Sequence, residues 1–289
     1  MSLRAVAVAA VAAVASLAGA SAALADTSQS SNWAGYAVHR SGVTFTRVIG
    51  AWTQPEPTCT AGEATYSSVW VGIGGYSESS QALEQIGTEA DCSAAGKAVA
   101  SAWYELVPAT SRTIKLTIDA GDHVRASVSV ASQQVTVTLD DLTRHRSFSK
   151  TLHASPLDTT SAEWIVEAPS VCGVSSAGFC RTLPLADFGS TGFSAARATS
   201  TSGHTGSIRD RKWTTTKISL TEDGRRFIGI GGPPGQAAAA VTAVPSALAA
   251  AGSAFTVTYQ GTTTGVTSAE STRVSAGRLV QGAAFSPTS

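Results

Sequence analysis

After residue 25, apolar and polar residues alternate in short runs with a period of two. Clear examples are "TFTRVIGAW", "YSSVWVGIG", "SAWYELV", "HVRASVSV", "QVTVTL" and "AEWIVE". Successive side chains of a strand point to opposite faces, so this period predicts strands with one buried face. Turn residues such as those of "PEP" and "DAGD" separate the runs. Many short strands at this spacing predict an all-β fold, an antiparallel sandwich or jelly roll.

One segment departs from the alternation. Residues 235–253, "GQAAAAVTAVPSALAAAGS", have a helix-like composition. Pro245 and Gly252 interrupt it, so we expect a loop of small residues there. The chain after residue 261 is rich in Ser, Thr and Gly. We therefore expect one domain over residues 26–261 and a tail over residues 262–289 with a mobile end.

Residues 1–25 have the layout of a secretory signal peptide. A basic residue, Arg4, precedes an Ala/Val-rich apolar run that ends in the A-x-A sequence Ala23-Leu24-Ala25. A membrane anchor is the alternative, but the run is short and ends in a cleavage pattern. We expect cleavage before Asp26 and a secreted, extracellular protein.

Charge excludes two classes of partner. The 20 basic and 20 acidic residues balance to a net charge of zero. A protein that binds nucleic acid or an anionic membrane surface usually carries a basic excess. We expect neither partner, no membrane contact after signal cleavage, and a monomer.

Four cysteines, Cys59, Cys92, Cys172 and Cys180, suit an oxidising compartment. An even number in an exported protein predicts two disulfides, and three pairings are possible. A bond from Cys172 to Cys180 would close the short loop "CGVSSAGFC" and leave Cys59 with Cys92. A zinc site is disfavoured because C-x-x-C spacing and nearby histidines are missing.

Carboxylates are the chemistry that the motifs leave available. The five histidines are scattered, and neither H-E-x-x-H nor G-x-S-x-G occurs, so we expect no metal or cofactor. Glu105 lies in "AWYELVP", and Glu163 and Glu167 share one face of "AEWIVEA". Burial beside tryptophan would suit these acids to proton transfer. Solvent exposure on the outer face of a sheet is the equally open alternative.

Gln85 in "ALEQIGTEADC" shares a strand face with Leu83, with Glu84 on the opposite face. Spacing alone does not distinguish this amide from a surface glutamine.

Six blocks in order resemble the glutamic peptidases (eqolisins): "SSNWAGYAV", "VWVGIGG", "LEQIGTEADC", "AWYELVP", "AEWIVEAP" and "LADFGS". The resemblance extends from Asn32 to the final "FTVTY" run. It implies a curved sandwich of the concanavalin A or legume-lectin type, a jelly roll with two antiparallel sheets of about seven strands each.

Carried over by motif, the resemblance assigns the catalytic pair to Gln85 and Glu163. Glu163 would activate a water, and Gln85 would stabilise the oxyanion. The resemblance further implies supporting or substrate-binding roles for Trp33, Trp70, Glu105 and Glu167. We expect Trp103 and Trp164 to be core residues. "CGVSSAGFC" would be a disulfide-closed loop after the catalytic strand.

The match is incomplete at Gly74, where the family has an aspartate. An acidic neighbour of the site is therefore missing or supplied elsewhere. The resemblance implies an acidic optimum, at which Glu163 must begin ionised, and the balanced charge argues against an extreme one.

Three functions remain to be compared. The first is a secreted acid endopeptidase acting on protein or peptide substrates through a Gln/Glu dyad, without metal or covalent intermediate. The second is a jelly-roll glycoside hydrolase with Glu105 and Glu163 as its two carboxylates. The third is a glycan-binding sandwich without catalysis. Of the three, only the peptidase requires Gln85.

Overall fold

The computed structural model describes residues 26–77, 79–172, 180–221, 241–261 and 278–280. Within these ranges the single helical piece is a 3-10 turn, Ala250–Gly252. The first strands are β1 (Asp26–Ser30), β2 (Trp33–His39), β3 (Phe45–Thr53), β4 (Ser68–Gly74), β5 (Leu83–Cys92), β6 (Ala98–Val107), β7 (Arg112–Ile114), β8 (His123–Ala131) and β9 (Gln134–Asp141). The others are β10 (Arg146–His153), β11 (Ser161–Glu167), β12 (Ser170–Cys172), β13 (Cys180–Thr182), β14 (Ser190–Ser200), β15 (Thr205–Ser207), β16 (Thr214–Thr221), β17 (Val241–Pro245), β18 (Phe255–Tyr259) and β19 (Arg278–Val280).

One hydrogen-bonded path connects the two layers of the fold. Its order is β10-β9-β8-β3-β14-β18-β17, continuing through β16-β2-β11-β4-β5-β6-β7. The first seven strands pack on the last seven: β3 contacts β4 and β11, and β5 contacts β8 and β9. The predicted all-β antiparallel fold is confirmed. The two layers are joined by a seam between β16 and β17, whereas the jelly-roll connectivity stays a prediction.

Two pairings lie beside the main path. β1 pairs with β16 in parallel, and β15 pairs with β14. A separate three-stranded sheet has the order β13-β12-β19.

The interior between the layers is apolar, and the alternation along β11 shows which face turns inward. Ala162, Trp164 and Val166 belong to this core. Glu163, Ile165 and Glu167 therefore lie on the opposite face, as the alternation predicted. We call this second face of the β16–β7 layer the site face. Its apolar cluster consists of Trp33, Ala37, Trp70, Leu83, Trp103, Ile165 and Ile218.

The expected loop of small residues is wrong for Val241–Pro245. This segment forms β17, paired on both sides with β16 and β18. Neighbouring strands supply hydrogen bonds that an Ala-rich composition does not reveal. Residues 222–240 lie outside the described ranges, as does the predicted signal peptide. Arg278–Val280 of the predicted tail forms β19 on β12.

A disulfide joins Cys59 to Cys92, with their Cα atoms 5.3 Å apart. Cys172 and Cys180 are register partners in β12 and β13. Their sulfur atoms lie outside the described part of the protein, so the second disulfide stays a prediction. In the described part, no helix is both apolar and long enough to span a membrane.

Candidate active site

Antiparallel pairing aligns six residues across the site face, one from each of six neighbouring strands. We call this line the central row. In order from β16 to β6 it consists of Thr216, Ala37, Glu163, Gly72, Gln85 and Glu105. Three of the predicted site residues are thus brought together by register, although they are distant in sequence.

Gly72 separates Glu163 from Gln85. It is the register partner of both, so their Cα atoms are about 10 Å apart across one intervening strand. A Cβ at Gly72 would lie 2.9 Å from Trp70 Cζ3 and 3.0 Å from Leu83 Cδ1. The glycine therefore leaves open the space between a carboxyl and an amide.

A hydrogen bond orients the amide of Gln85. Its Nε2 donates to Glu105 Oε2 at 2.9 Å, and both side chains are fully buried. An amide NH2 group carries two hydrogens. Glu105 accepts one of them, which fixes the direction in which the amide points.

Glu163 is a buried acid with a perturbed pKa. It is fully buried, and neither carboxyl oxygen makes a hydrogen bond within the described residues. Burial raises the pKa of Glu163 well above its ordinary value, and the negative charges of Asp158 and Glu84 raise it further. The Ser161 hydroxyl lies close enough to offset part of this pKa rise, without reaching hydrogen-bond geometry. Glu163 therefore holds its proton more tightly than an exposed glutamate.

Glu167 lies on the same face but outside the central row. It is four residues beyond Glu163, or about 13 Å along the strand. Trp70 Nε1 donates to Glu167 Oε2 at 2.8 Å, and Asn32 Nδ2 donates to Oε1 at 3.1 Å. Both oxygens thus accept from neighbouring side chains, which fixes the carboxyl in place.

The tryptophans divide between the two faces of the layer. Trp33 and Trp70 are edge-to-face with ring centroids 5.0 Å apart, and both belong to the site-face cluster. Trp103 is also in this cluster and is buried, so it is a core residue as expected, on the site face of the layer. Its position on the site face follows from its spacing, because Trp103 and Glu105 are two residues apart on β6 and therefore share a face. Trp164 is in the interior core, where its Nε1 donates to Ile49 O at 2.8 Å.

Asp158 fills the space beside Gly74. A Cβ at Gly74 would lie 2.6 Å from Asp158 O and 2.8 Å from Asp158 Cβ, and Gly74 has φ +86°. An aspartate is therefore present next to the position where the family has one, but it comes from the connection before β11.

Sequence reasoning missed Gly72, Asn32 and Asp158. Asn32 and Gly72 lie inside the blocks that carried the family resemblance, so closer reading of those blocks could have found them. Asp158 lies in a connecting loop, and no local pattern marks it. Within the described ranges no group of His, Cys, Asp and Glu residues suits a metal ion.

Solved structures share this fold. Scytalido-glutamic peptidase with a peptide-based transition state analog matches with TM-score 0.62 and 24% identity, covering 79% of this chain and 98% of that one. SCP-B, an eqolisin in a complex with the tripeptide Ala-Ile-His, matches with TM-score 0.59 and 23% identity, covering 79% and 98%. Aspergilloglutamic peptidase from Aspergillus niger matches with TM-score 0.51 and 29% identity, covering 68% and 99%.

The fold and the resemblance carried by the sequence blocks define the class as the β-sandwich glutamic peptidases. The model of the Peptidase A4 family matches residues 31–227, and the chain belongs to this family. It is a peptidase, a hydrolase that acts on peptide bonds. The predicted family is thereby confirmed. No curated protein matches the chain significantly.

Proposed function

We propose that the protein is a secreted acid endopeptidase in which Glu163 and Gln85 act as the catalytic dyad. The observation that carries this proposal is the central row: Gln85 and Glu163 flank Gly72, and Glu105 orients the Gln85 amide. An amide cannot transfer a proton, so its buried position beside a carboxyl suits a role in binding charge.

The reaction begins with a water between the two side chains. Glu163, as carboxylate, takes a proton from this water, and the hydroxide attacks the carbonyl carbon of the scissile peptide. The amide NH2 group of Gln85 donates to the developing oxyanion. Glu163 then passes its proton to the departing amine, and the carbon–nitrogen bond breaks. Protons balance without a metal, a cofactor or a covalent intermediate.

Four further residues receive supporting roles in this proposal because of the contacts they make. Glu105 positions Gln85, and Glu167 holds Trp70 through its indole N–H. Trp33 and Trp70 form the aromatic wall beside the central row and contribute to substrate subsites.

The raised pKa of Glu163 bears on the pH range. A general base must be ionised when the reaction starts, so kcat/KM rises with pH as Glu163 loses its proton. Because burial raises this pKa, we propose an optimum in weak acid rather than in strong acid. This agrees with the acidic but not extreme optimum expected from the resemblance and the balanced charge.

The glycosidase alternative fits the geometry less well. Glu105 is three strands from Glu163, about 15 Å between Cα atoms, and Gln85 lies between them. Paired glycosidase carboxyls lie about 5 to 9.5 Å apart. Glu105 also accepts a hydrogen bond from Gln85, which holds its carboxyl against the amide.

Casein digestion by the purified mature protein tests the proposal across pH 3 to 8, with and without a chelator and pepstatin. We expect activity that resists both inhibitors. Glu163→Gln should abolish it, and Gln85→Ala should lower kcat about a hundredfold or more through loss of one oxyanion donor. Glu56→Gln, at an exposed glutamate, is the matched control. Normal turnover by Gln85→Ala would contradict the dyad.

A further inference from the structure

Asp158 joins two loops beside the central row. Its Oδ2 accepts from Gly75 N at 3.1 Å and from Ser80 Oγ at 2.5 Å. Its Oδ1 accepts from the N–H and the hydroxyl of Thr160 at 2.9 and 2.7 Å. One carboxylate thus fixes the connection between β4 and β5 to the residue that precedes β11.

Ser80 adds contacts within the β4–β5 connection to those made by Asp158. Its hydroxyl oxygen also lies 2.9 Å from Ala82 O and accepts from Gly75 N at 3.2 Å. We call the described residues 75–77 and 79–82 of this connection the strap. The strap is closed on itself by Ser80 and attached to the β11 connection by Asp158.

Tyr76 attaches the strap to the site face. Its hydroxyl donates to Thr216 Oγ1 at 3.2 Å, and its ring stacks on His39 with centroids 4.5 Å apart. Tyr76 packs on the site-face cluster that contains Ala37. Thr216 and Ala37 are the central-row residues on one side of Glu163, so Tyr76 closes the row on that side.

The Asp158 carboxylate also acts on Glu163 through its charge. Partial burial acts to raise the pKa of Asp158, but the four hydrogen bonds it accepts outweigh this and hold the pKa below its usual value. Asp158 therefore remains negative at a pH where Glu163 is still protonated. Of the other ionisable groups, Glu84 on the interior face of β5 also acts on Glu163 through its charge. Glu105 beyond Gln85, and His39 two residues from Ala37 on β2, lie on the same face as Glu163.

We propose that Asp158 is a positioning residue for the peptidase reaction: its carboxylate holds the strap, and its negative charge sets the pH range over which Glu163 works. The inference rests on the proposed role of Glu163. Two carboxyls whose environments separate their ionisation form a common arrangement in acid–base catalysis. Here one acid is stabilised as the anion by hydrogen bonds, and the other is kept neutral by burial.

The test is the acid limb of kcat/KM against pH for Asp158→Asn and Asp158→Ser, two neutral replacements that can still form the turn with Thr160. Loss of the charge should move this limb to lower pH by about 1 unit. A role confined to structure would lower activity equally at every pH. Asp187→Asn is the matched control, since Asp187 accepts a similar turn hydrogen bond from Gly189 N.

The outcomes separate this inference from the proposed function. An inactive wild type contradicts the proposed function. An active wild type whose limb stays fixed in a folded Asp158 variant overturns only the role of Asp158. If neither variant folds, Ser80→Ala decides, because it keeps the charge and releases the strap. We expect a KM at least threefold higher with the limb unmoved, and a Ser80→Ala enzyme identical to wild type would overturn the proposal.

Discussion

A single glycine keeps open the space between the two proposed catalytic side chains. Gly72 is the register partner of both Glu163 and Gln85. Any side chain at this position would point into the space between them. The absence of a Cβ is therefore as important to the central row as the carboxyl and the amide.

We predict that Gly72→Ala lowers kcat/KM by at least tenfold. Its methyl group would press on Trp70 and Leu83, at 2.9 and 3.0 Å, and occupy space needed by water and the peptide. Steady-state kinetics on a peptide substrate measures the effect. Gly192→Ala is the control, because its nearest atoms lie 3.7 and 3.8 Å from the new Cβ. Equal losses in both variants would show that the gap has no special role.

Residue types and their order predicted part of the candidate site. The rest depends on which residues are neighbours in space, which the sequence does not show. Glu163 and Gln85 could be assigned from sequence blocks, and the alternation placed them on faces. Asp158 could not be found, because its importance comes from contact with Gly75 and Ser80, some 80 positions earlier in the chain. No pattern of period two encodes a contact between loops.

At the scale of elements, β11 shows what local alternation can determine. Its apolar residues enter the interior core, and its carboxyls reach the site face. The period of two is enough for this result, because one face of the layer is packed against the other layer. The prediction needed no knowledge of which strands lie beside β11.

The sequence did not reveal which strands pair with each other. β17 was missed because its hydrogen bonds come from β16 and β18, not from its own residues. The parallel pairing of β1 with β16 was also unforeseen. Strand propensity is a property of one segment, whereas a sheet also depends on which other strands that segment pairs with.

The Cys59–Cys92 disulfide ties the connection after β3 to the end of β5. We predict that replacing both cysteines by alanine lowers stability by about 3 to 4 kcal/mol, because the bond closes a long loop in the unfolded chain. The melting temperature should fall by roughly 10 °C.

Calorimetry of the Cys59→Ala/Cys92→Ala variant checks this loss. The Cys172→Ala/Cys180→Ala variant provides the comparison, since that predicted bond would close a much shorter loop and should stabilise less. An unchanged melting temperature in the first variant would mean that native packing, not the cross-link, holds this region.

For the molecule as a whole, buried carboxyls tie stability to acidity. Burial raises the pKa of Glu84 to about 9, with help from the charge of Asp158. Burial likewise raises the pKa of Asp91 to about 8, with help from Glu89. In the unfolded chain these groups ionise in the ordinary acidic range. These two groups therefore favour the folded state in acid, and their contribution to stability is lost as pH rises.

Glu84 gives the clearest case. It is fully buried between Ile73 and Leu106, and neither carboxyl oxygen has a hydrogen-bond partner within the described residues. Its stabilising effect is complete below pH 4.5. That effect is lost between pH 4.5 and 9, at a cost of up to about 6 kcal/mol.

We predict that Glu84→Gln flattens this dependence. The wild type should melt at a lower temperature at pH 8 than at pH 4, and the variant should show a difference smaller by at least about 5 °C. Comparing each protein with itself removes the constant cost of a buried amide. The exposed Glu56→Gln variant should behave as wild type. A Glu84→Gln variant with the full pH dependence would place the effect in other carboxyls.

The central row also bears on how the enzyme comes into being. Its members are drawn from strands that extend from Ala37 to Thr216 along the chain. Pairing over such separations closes late, because long loops lose entropy before they gain contacts. We therefore expect a newly made chain to lack the proposed dyad while its own peptide bonds are still exposed. Hydrolysis by this pair would begin only when those bonds are already enclosed in strands, which would protect each chain from cleaving itself during folding.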